Sequence, residues 1–234
     1  KKKAKQFSEA WNIVVNEVKP FRQRKKPDGS YVRNDPSPSF YWMYARKCFT
    51  LYDKIKDMKR VMAIALTSKV VMPVWVPSDW VYSHACGIFT FDDDFHFGVI
   101  SSQFHWCWTQ KYASSMKGDT RYTPSDVFEK FTIPPENENV SNAGKTMNDH
   151  RAPLMIENNE GLTKTYNRVH TSSDTDDGIQ KLRELHRDLD IAVRDAYGWS
   201  DLDLDHGFHQ TKQGMRWTLG PEAQREVLDR LLAL

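Results

Sequence analysis

The sequence predicts an α+β fold, with a mixed-sheet domain over residues 1–135 followed by a small helical region over residues 144–234. Three observations predict it. The runs VMAIAL, VVMPVWVP, VYSHACGIFTF and FGVISS are rich in β-branched and aromatic residues and are parted by Pro, Ser and Asp, as strands of one sheet would be. Apolar residues at helical spacing flank these runs, at Phe7, Trp11, Val14, Val15 and Val18 before them and at Ile179, Leu182, Leu185, Leu189, Val193 and Ala196 after. Ile133-Pro134-Pro135 closes the first region, and the polar residues 136–143 read as a linker.

The first helix should cover residues 4–18 and stop at Pro20, whose ring clashes with the preceding turn. The segment KPFRQRKKPDGSYVRNDPSPS, rich in Pro, Gly, Ser and Asp, reads as a loop. A second helix is expected over residues 40–57, with Tyr44, Phe49, Leu51, Tyr52 and Ile55 on its apolar side. After the strands, FHWCWTQKYASSM reads as a helix that Ser101-Ser102 can cap and Lys117-Gly118-Asp119 can end. Pro221 is placed to open a last helix containing Val227, Leu228, Leu231 and Leu232.

At 39% hydrophobic and 27% charged over 234 residues, the chain belongs with soluble globular proteins rather than disordered ones. No apolar run reaches membrane-spanning length and no signal peptide is visible. Cys48, Cys86 and Cys107 are widely spaced and form no metal-ligand pattern, so a reduced, cytoplasmic setting is expected. The first residue is Lys rather than Met, which reads as an excised piece of a longer protein. The net charge of +2 hides an asymmetry. Residues 1–69 hold 17 Lys+Arg against 6 Asp+Glu, whereas the remainder holds 16 against 25. A balance of +11 followed by −9 points to a polyanion as partner of the N-terminal third.

The order of segments narrows this further. YWMYARKCFTLYDKIKDMKRVMAIALTSK is followed by VWVPSDWVYSHACGIFTFDDDFHFGVISSQFHWCW and then DTRYTPSDVFEKFTIP. The pieces are Tyr41-Trp42, Arg60-Val61, Ser68-Lys69, Asp93-Asp94, Phe97 to Ser102, Arg121-Tyr122, Val127-Phe128 and Phe131 to Pro134. In this order the chain resembles the target-recognition domain of MmeI-like and related class-gamma adenine-N6 DNA methyltransferases, enzymes of restriction–modification and phage-defence (BREX/DISARM-type) systems. EGLTKTYNRVH, LRELHRDLDIAVRDAYGW and PEAQREVLDRLLAL are similar to the helical C-terminal tail of the same proteins, so the resemblance covers nearly the whole chain. The basic loop at residues 19–39 departs from it by being longer and richer in Pro and Ser.

The resemblance implies sequence-specific recognition of double-stranded DNA, with S-adenosylmethionine as cofactor of the parent enzyme and an upstream methyltransferase domain as the module's partner. This chain itself carries neither an NPPY-type tetrapeptide nor an FxGxG-type loop, so no catalytic residue, metal or cofactor is assigned to it. A base that must leave the stack to be methylated requires a separate module to hold the duplex and read its sequence. Candidate DNA contacts are the loop cations Lys19, Arg22, Arg24, Lys25, Lys26 and Arg33, which suit phosphates, and Ser68-Lys69 at a strand end. Further candidates are Ser101, Ser102 and Gln103 at a helix start, and Lys117, Arg121 and Tyr122.

Other clusters have plainer readings. Asp92-Asp93-Asp94 alternate sides in an extended chain and read as a polar turn rather than a metal site. His206 and His209, amid Asp201, Asp203 and Asp205, read as a surface loop between helices, and Trp106 and Trp108 as core. The alternative function is a structural or protein-interaction module that docks a partner of a defence system, a role the acidic second half would suit.

Overall fold

A computed structural model describes residues 1–35, 37–43, 48–116 and 118–234. They fall into two units, Lys1–Lys54 and Ile55–Leu234. The fold is α+β, as expected.

The first unit opens with a short 3-10 turn, helix α1 (Ser8–Ile13), a π-helical turn (Val14–Val18) and helix α2 (Lys19–Arg22). Pro20 does not end the helix as its ring predicts; it lies in the first turn of α2. The π turn ahead of it widens the ladder, the Lys19 N–H donating to the Val14 carbonyl five residues back. The basic segment that follows is more ordered than a loop. Lys26 N–H donates to Ser30 O at 2.8 Å and Val32 N–H to Arg24 O at 2.9 Å. Gly29, at φ 82°, supplies the left-handed turn. Helix α3 (Phe49–Ile55) is shorter than the expected second helix: residues 40–43 form turns instead, and Tyr44 lies outside the described residues.

The second unit holds two separate three-stranded sheets where the sequence suggests one mixed sheet. Strands β1 (Arg60–Ala65), β3 (Val74–Pro77) and β4 (Cys86–Phe89) pair in the order β3-β1-β4, with Met62 opposite both Trp75 and Phe89. Strands β2 (Thr67–Ser68), β5 (Ser114–Met116) and β6 (Asp119–Arg121) pair in the order β2-β6-β5. Every one of these pairings is antiparallel.

FGVISS, read as a strand, is instead the body of helix α4 (Asp94–Ser101). Asp93 caps that helix, accepting the His96 N–H at 2.8 Å, and Phe97, Val99 and Ile100 are buried. Core packing overrides the weak β preference of Val and Ile here. Helix α5 (Gln103–Tyr112) follows the predicted Ser102 cap and ends at Tyr112. Gly118 therefore turns the β5–β6 hairpin, at φ 89°, rather than closing a helix.

Helix α6 (Glu138–Glu157) begins inside the expected linker. It packs on α4 and on helix α8 (Asp177–Ala196), so no domain division appears near residue 140. The approach of α4 and α6 depends on two glycines: a Cβ on Gly144 would stand 2.8 Å from Gly98 Cα. Helix α7 (Leu162–Val169) comes between α6 and α8. The predicted α8 stripe of Ile179, Leu182, Leu185, Leu189 and Val193 is buried as its spacing requires. The C-terminal region also contains a hairpin the sequence did not announce, β7 (Gly207–Thr211) and β8 (Gly214–Thr218), before helix α9 (Pro221–Ala233). Among the described residues, no helix is long and apolar enough to cross a membrane.

Candidate nucleic-acid interface

Strand alternation decides which candidates face outward. In the sheet β2-β6-β5, Arg121 on the middle strand lies opposite Thr67 on one side and Ser114 on the other. Residues directly opposite in a ladder share a face. All three are exposed, so Arg121 stands outward between two small hydroxyl residues. Its guanidinium has no hydrogen-bond or ion-pair partner among the described residues. The next residue, Tyr122, points the other way and is 1% exposed. Its hydroxyl lies 3.0 Å from His105 Nε2, and His105 Nδ1 donates to Ile100 O at 3.0 Å, which leaves Nε2 to accept from the phenol. Burial holds the His105 pKa down at about 4 and pushes that of Tyr122 up, so both stay neutral.

Ser101, Ser102 and Gln103 are corrected with Tyr122: all four are buried and face the protein interior. Ser102 Oγ donates to Val99 O at 2.7 Å and accepts the His105 N–H, the capping role. Gln103 N–H donates to Asp190 Oδ1 at 2.7 Å, and its side-chain oxygen accepts from Thr218 Oγ1 at 2.8 Å. Ser101, Ser102 and Tyr122 are thus enclosed away from an external duplex, and Gln103 meets solvent only at a cavity wall. Lys117 lies outside the described residues.

Ser68 Oγ accepts the Val70 N–H at 3.1 Å and shapes the strand end, which leaves Lys69 exposed and unpartnered beside Arg121's sheet. Lys69 also stands at one side of a cavity of about 420 Å³ formed with α5, α9 and the β7–β8 hairpin. Exposed Lys111 and Lys212 and half-buried Arg216 line the same cavity, and among the described residues no carboxylate does. The sequence reading missed Lys111, Lys212 and Arg216. The one local sign was the alternation FHQT–MRWT around Lys212-Gln213-Gly214, a hairpin pattern with an atypical turn.

The six loop cations of the first unit divide by what already occupies them. Arg22 Nη1 donates to Tyr41 O at 3.0 Å and also to Met43 O, so it braces the unit internally. Arg33 pairs with Asp35 at 2.9 Å. Lys19 Nζ lies 5.6 Å from the Tyr41 ring centre. Arg24, Lys25 and Lys26 are exposed around the hairpin; Arg24 rests on Phe21 and Lys25 on Tyr31, contacts that leave their charges open to solvent.

The acidic clusters are structural. Arg60 holds the 92–94 turn, donating to Asp92 O at 3.1 Å and pairing with Asp94 at 2.8 Å. Among the described residues, no group of three His, Cys, Asp or Glu side chains is disposed to hold a metal ion. The expected surface loop around His206 and His209 is corrected: His206 is enclosed against Asp190, and residues 207–218 form the hairpin.

Residues 49–135 match the family described as MmeI, target recognition domain. The chain also superposes on the type IIL restriction-modification enzyme MmeI solved in complex with DNA, with a TM-score of 0.68 and 18% identity. That match covers 96% of this chain and 26% of the other, so the chain spans about a quarter of that enzyme's length. At this identity the likeness establishes a shared fold. No curated protein matches the sequence.

Proposed function

We propose that this chain, in which residues 49–135 are an MmeI-like target recognition domain, reads the base sequence of double-stranded DNA for a larger restriction–modification enzyme. The observation that carries the reading is Arg121: an exposed, unpartnered guanidinium on the middle strand, flanked by the exposed hydroxyl residues Thr67 and Ser114, with free Lys69 nearby. A guanidinium can donate two parallel hydrogen bonds to a guanine edge in the major groove. Lysines and the small hydroxyls of Thr67 and Ser114 suit phosphates. The exposed cations Arg24, Lys25 and Lys26 supply sequence-independent attraction.

The parent enzyme's reaction would be transfer of a methyl group from S-adenosylmethionine to adenine N6, in service of phage defence and in a cytoplasmic setting. That chemistry belongs to a methyltransferase domain elsewhere in the parent chain; this chain holds the duplex in register.

The test is selection of duplexes from a randomised pool by the 234-residue chain, repeated with Arg121→Ala and Lys69→Ala. The chain should enrich one sequence, and Arg121→Ala should relax the preference at one position by about 1–3 kcal/mol. A chain that binds no duplex, or an Arg121→Ala variant that enriches the same sequence equally well, would remove the reading.

A further inference from the structure

The 420 Å³ cavity between α5, α9 and the β7–β8 hairpin lies within the size range of small-molecule sites. Its lining shows three features that a DNA-facing surface does not require. Two tryptophans stand in its wall, Trp106 half-buried and Trp217 buried. Two imidazoles, half-buried His170 and buried His186, also line it. Its charged residues, Lys69, Lys111, Lys212 and Arg216, are all cationic.

The state of His186 follows from its neighbours. Buried Arg151 donates from Nη1 to the Tyr166 hydroxyl at 3.3 Å, and that hydroxyl lies 2.8 Å from His186 Nε2. His186 is only 2% exposed, and burial with the Arg151 charge holds its pKa at about 3, so it stays neutral.

We propose that this cavity binds a nucleotide, its base against Trp106, Trp217 and the two imidazoles and its phosphate against Lys212 and Arg216. Aromatic walls take the flat face of a base, and cations without a competing carboxylate take the phosphate. The nucleotide comes either free from solution or extruded from a bound duplex. The inference stands apart from the duplex reading, since free nucleotides test it without DNA.

The experiment titrates the 234-residue chain calorimetrically with the four deoxynucleoside monophosphates, their nucleosides and inorganic phosphate. At least one nucleotide should bind tenfold or more tightly than both its nucleoside and inorganic phosphate. Lys212→Ala with Arg216→Ala should weaken it at least tenfold at an unchanged melting temperature, and Trp106→Ala should weaken nucleotides while leaving inorganic phosphate unaffected. A second arm places 2-aminopurine at successive positions of a bound duplex. A fluorescence rise that the double variant abolishes identifies the extruded source; nucleotide binding without that rise identifies the free one. The proposal is overturned if no nucleotide binds and no position brightens, if inorganic phosphate binds as well as every nucleotide, or if the double variant matches the parent chain.

Discussion

Asp190 and His206 form an enclosed pair: His206 Nε2 lies 2.9 Å from Asp190 Oδ2, with 7% and 0% of the two side chains exposed. Asp190 also accepts the Gln103 N–H at 2.7 Å. One carboxylate on α8 thus joins the start of α5 to the entry of the C-terminal hairpin, across 87 residues on one side and 16 on the other. Burial pushes its pKa up while His206 opposes the rise. Asp190→Ala would leave an N–H and an imidazole unpaired in the interior. It should cost about 3–5 kcal/mol, the range for breaking a buried pair by removing one partner. Urea unfolding checks this, and a loss below about 1 kcal/mol would mean that water replaces the carboxylate.

Gly144 admits no side chain. An added Cβ would meet Gly98 Cα at 2.8 Å and Asp94 O at 2.9 Å, both backbone atoms of α4. Gly144→Ala should therefore push α4 and α6 apart and destabilise the second unit by about 1–3 kcal/mol. Gly161→Ala is the control, because nothing lies within 4 Å of its Cβ position. Equal melting temperatures for the two variants would contradict the close approach.

Stability should fall as the solution is acidified from neutrality. Burial lowers the pKa of His105 to about 4, of His170 to about 4 with help from the Arg216 charge, and of His186 to about 3 with help from Arg151. The unfolded chain takes up these protons near the ordinary value of 6.5, whereas the folded chain does not. The folded state has its full advantage above that pH and loses it progressively below. Each imidazole contributes up to about 1.4 kcal/mol per pH unit through the window from 6.5 down to its folded value. Melting temperatures between pH 7 and pH 5 read the slope. A flat profile there would show that these rings titrate as exposed ones do.

The hairpin cations should govern affinity rather than sequence choice. Replacing Arg24, Lys25 and Lys26 with Ala should weaken binding to cognate and scrambled duplexes alike. If each neutralises one phosphate, the log–log dependence of affinity on salt should flatten by about 2.7. Arg22→Ala should instead lower stability, because its guanidinium braces Tyr41 and Met43 carbonyls. Binding titrations at several salt concentrations distinguish these effects. A triple variant with unchanged affinity and slope would leave the hairpin without a role in DNA contact.

Features that depend on neighbouring residues were legible in the sequence. The stripe from Ile179 to Val193 repeats every three or four positions, and a helix must bury such a face. Ser102 caps α5 because a short hydroxyl before a helical run satisfies its free N–H groups locally. The order of short motifs from Tyr41 to Pro134 carried the family resemblance, since motif order survives where identity has fallen to 18%. Features that depend on distant residues were decided only in three dimensions. Val99 and Ile100 favour a strand by composition, yet they lie in a helix because Gly98 and Gly144 let α4 and α6 meet there. Arg121 and Tyr122 are adjacent in sequence, yet strand alternation turns one to solvent and the other to the core. The cavity draws on residues from Lys69 to Leu228, and no local pattern records a site whose walls come from opposite ends of a unit.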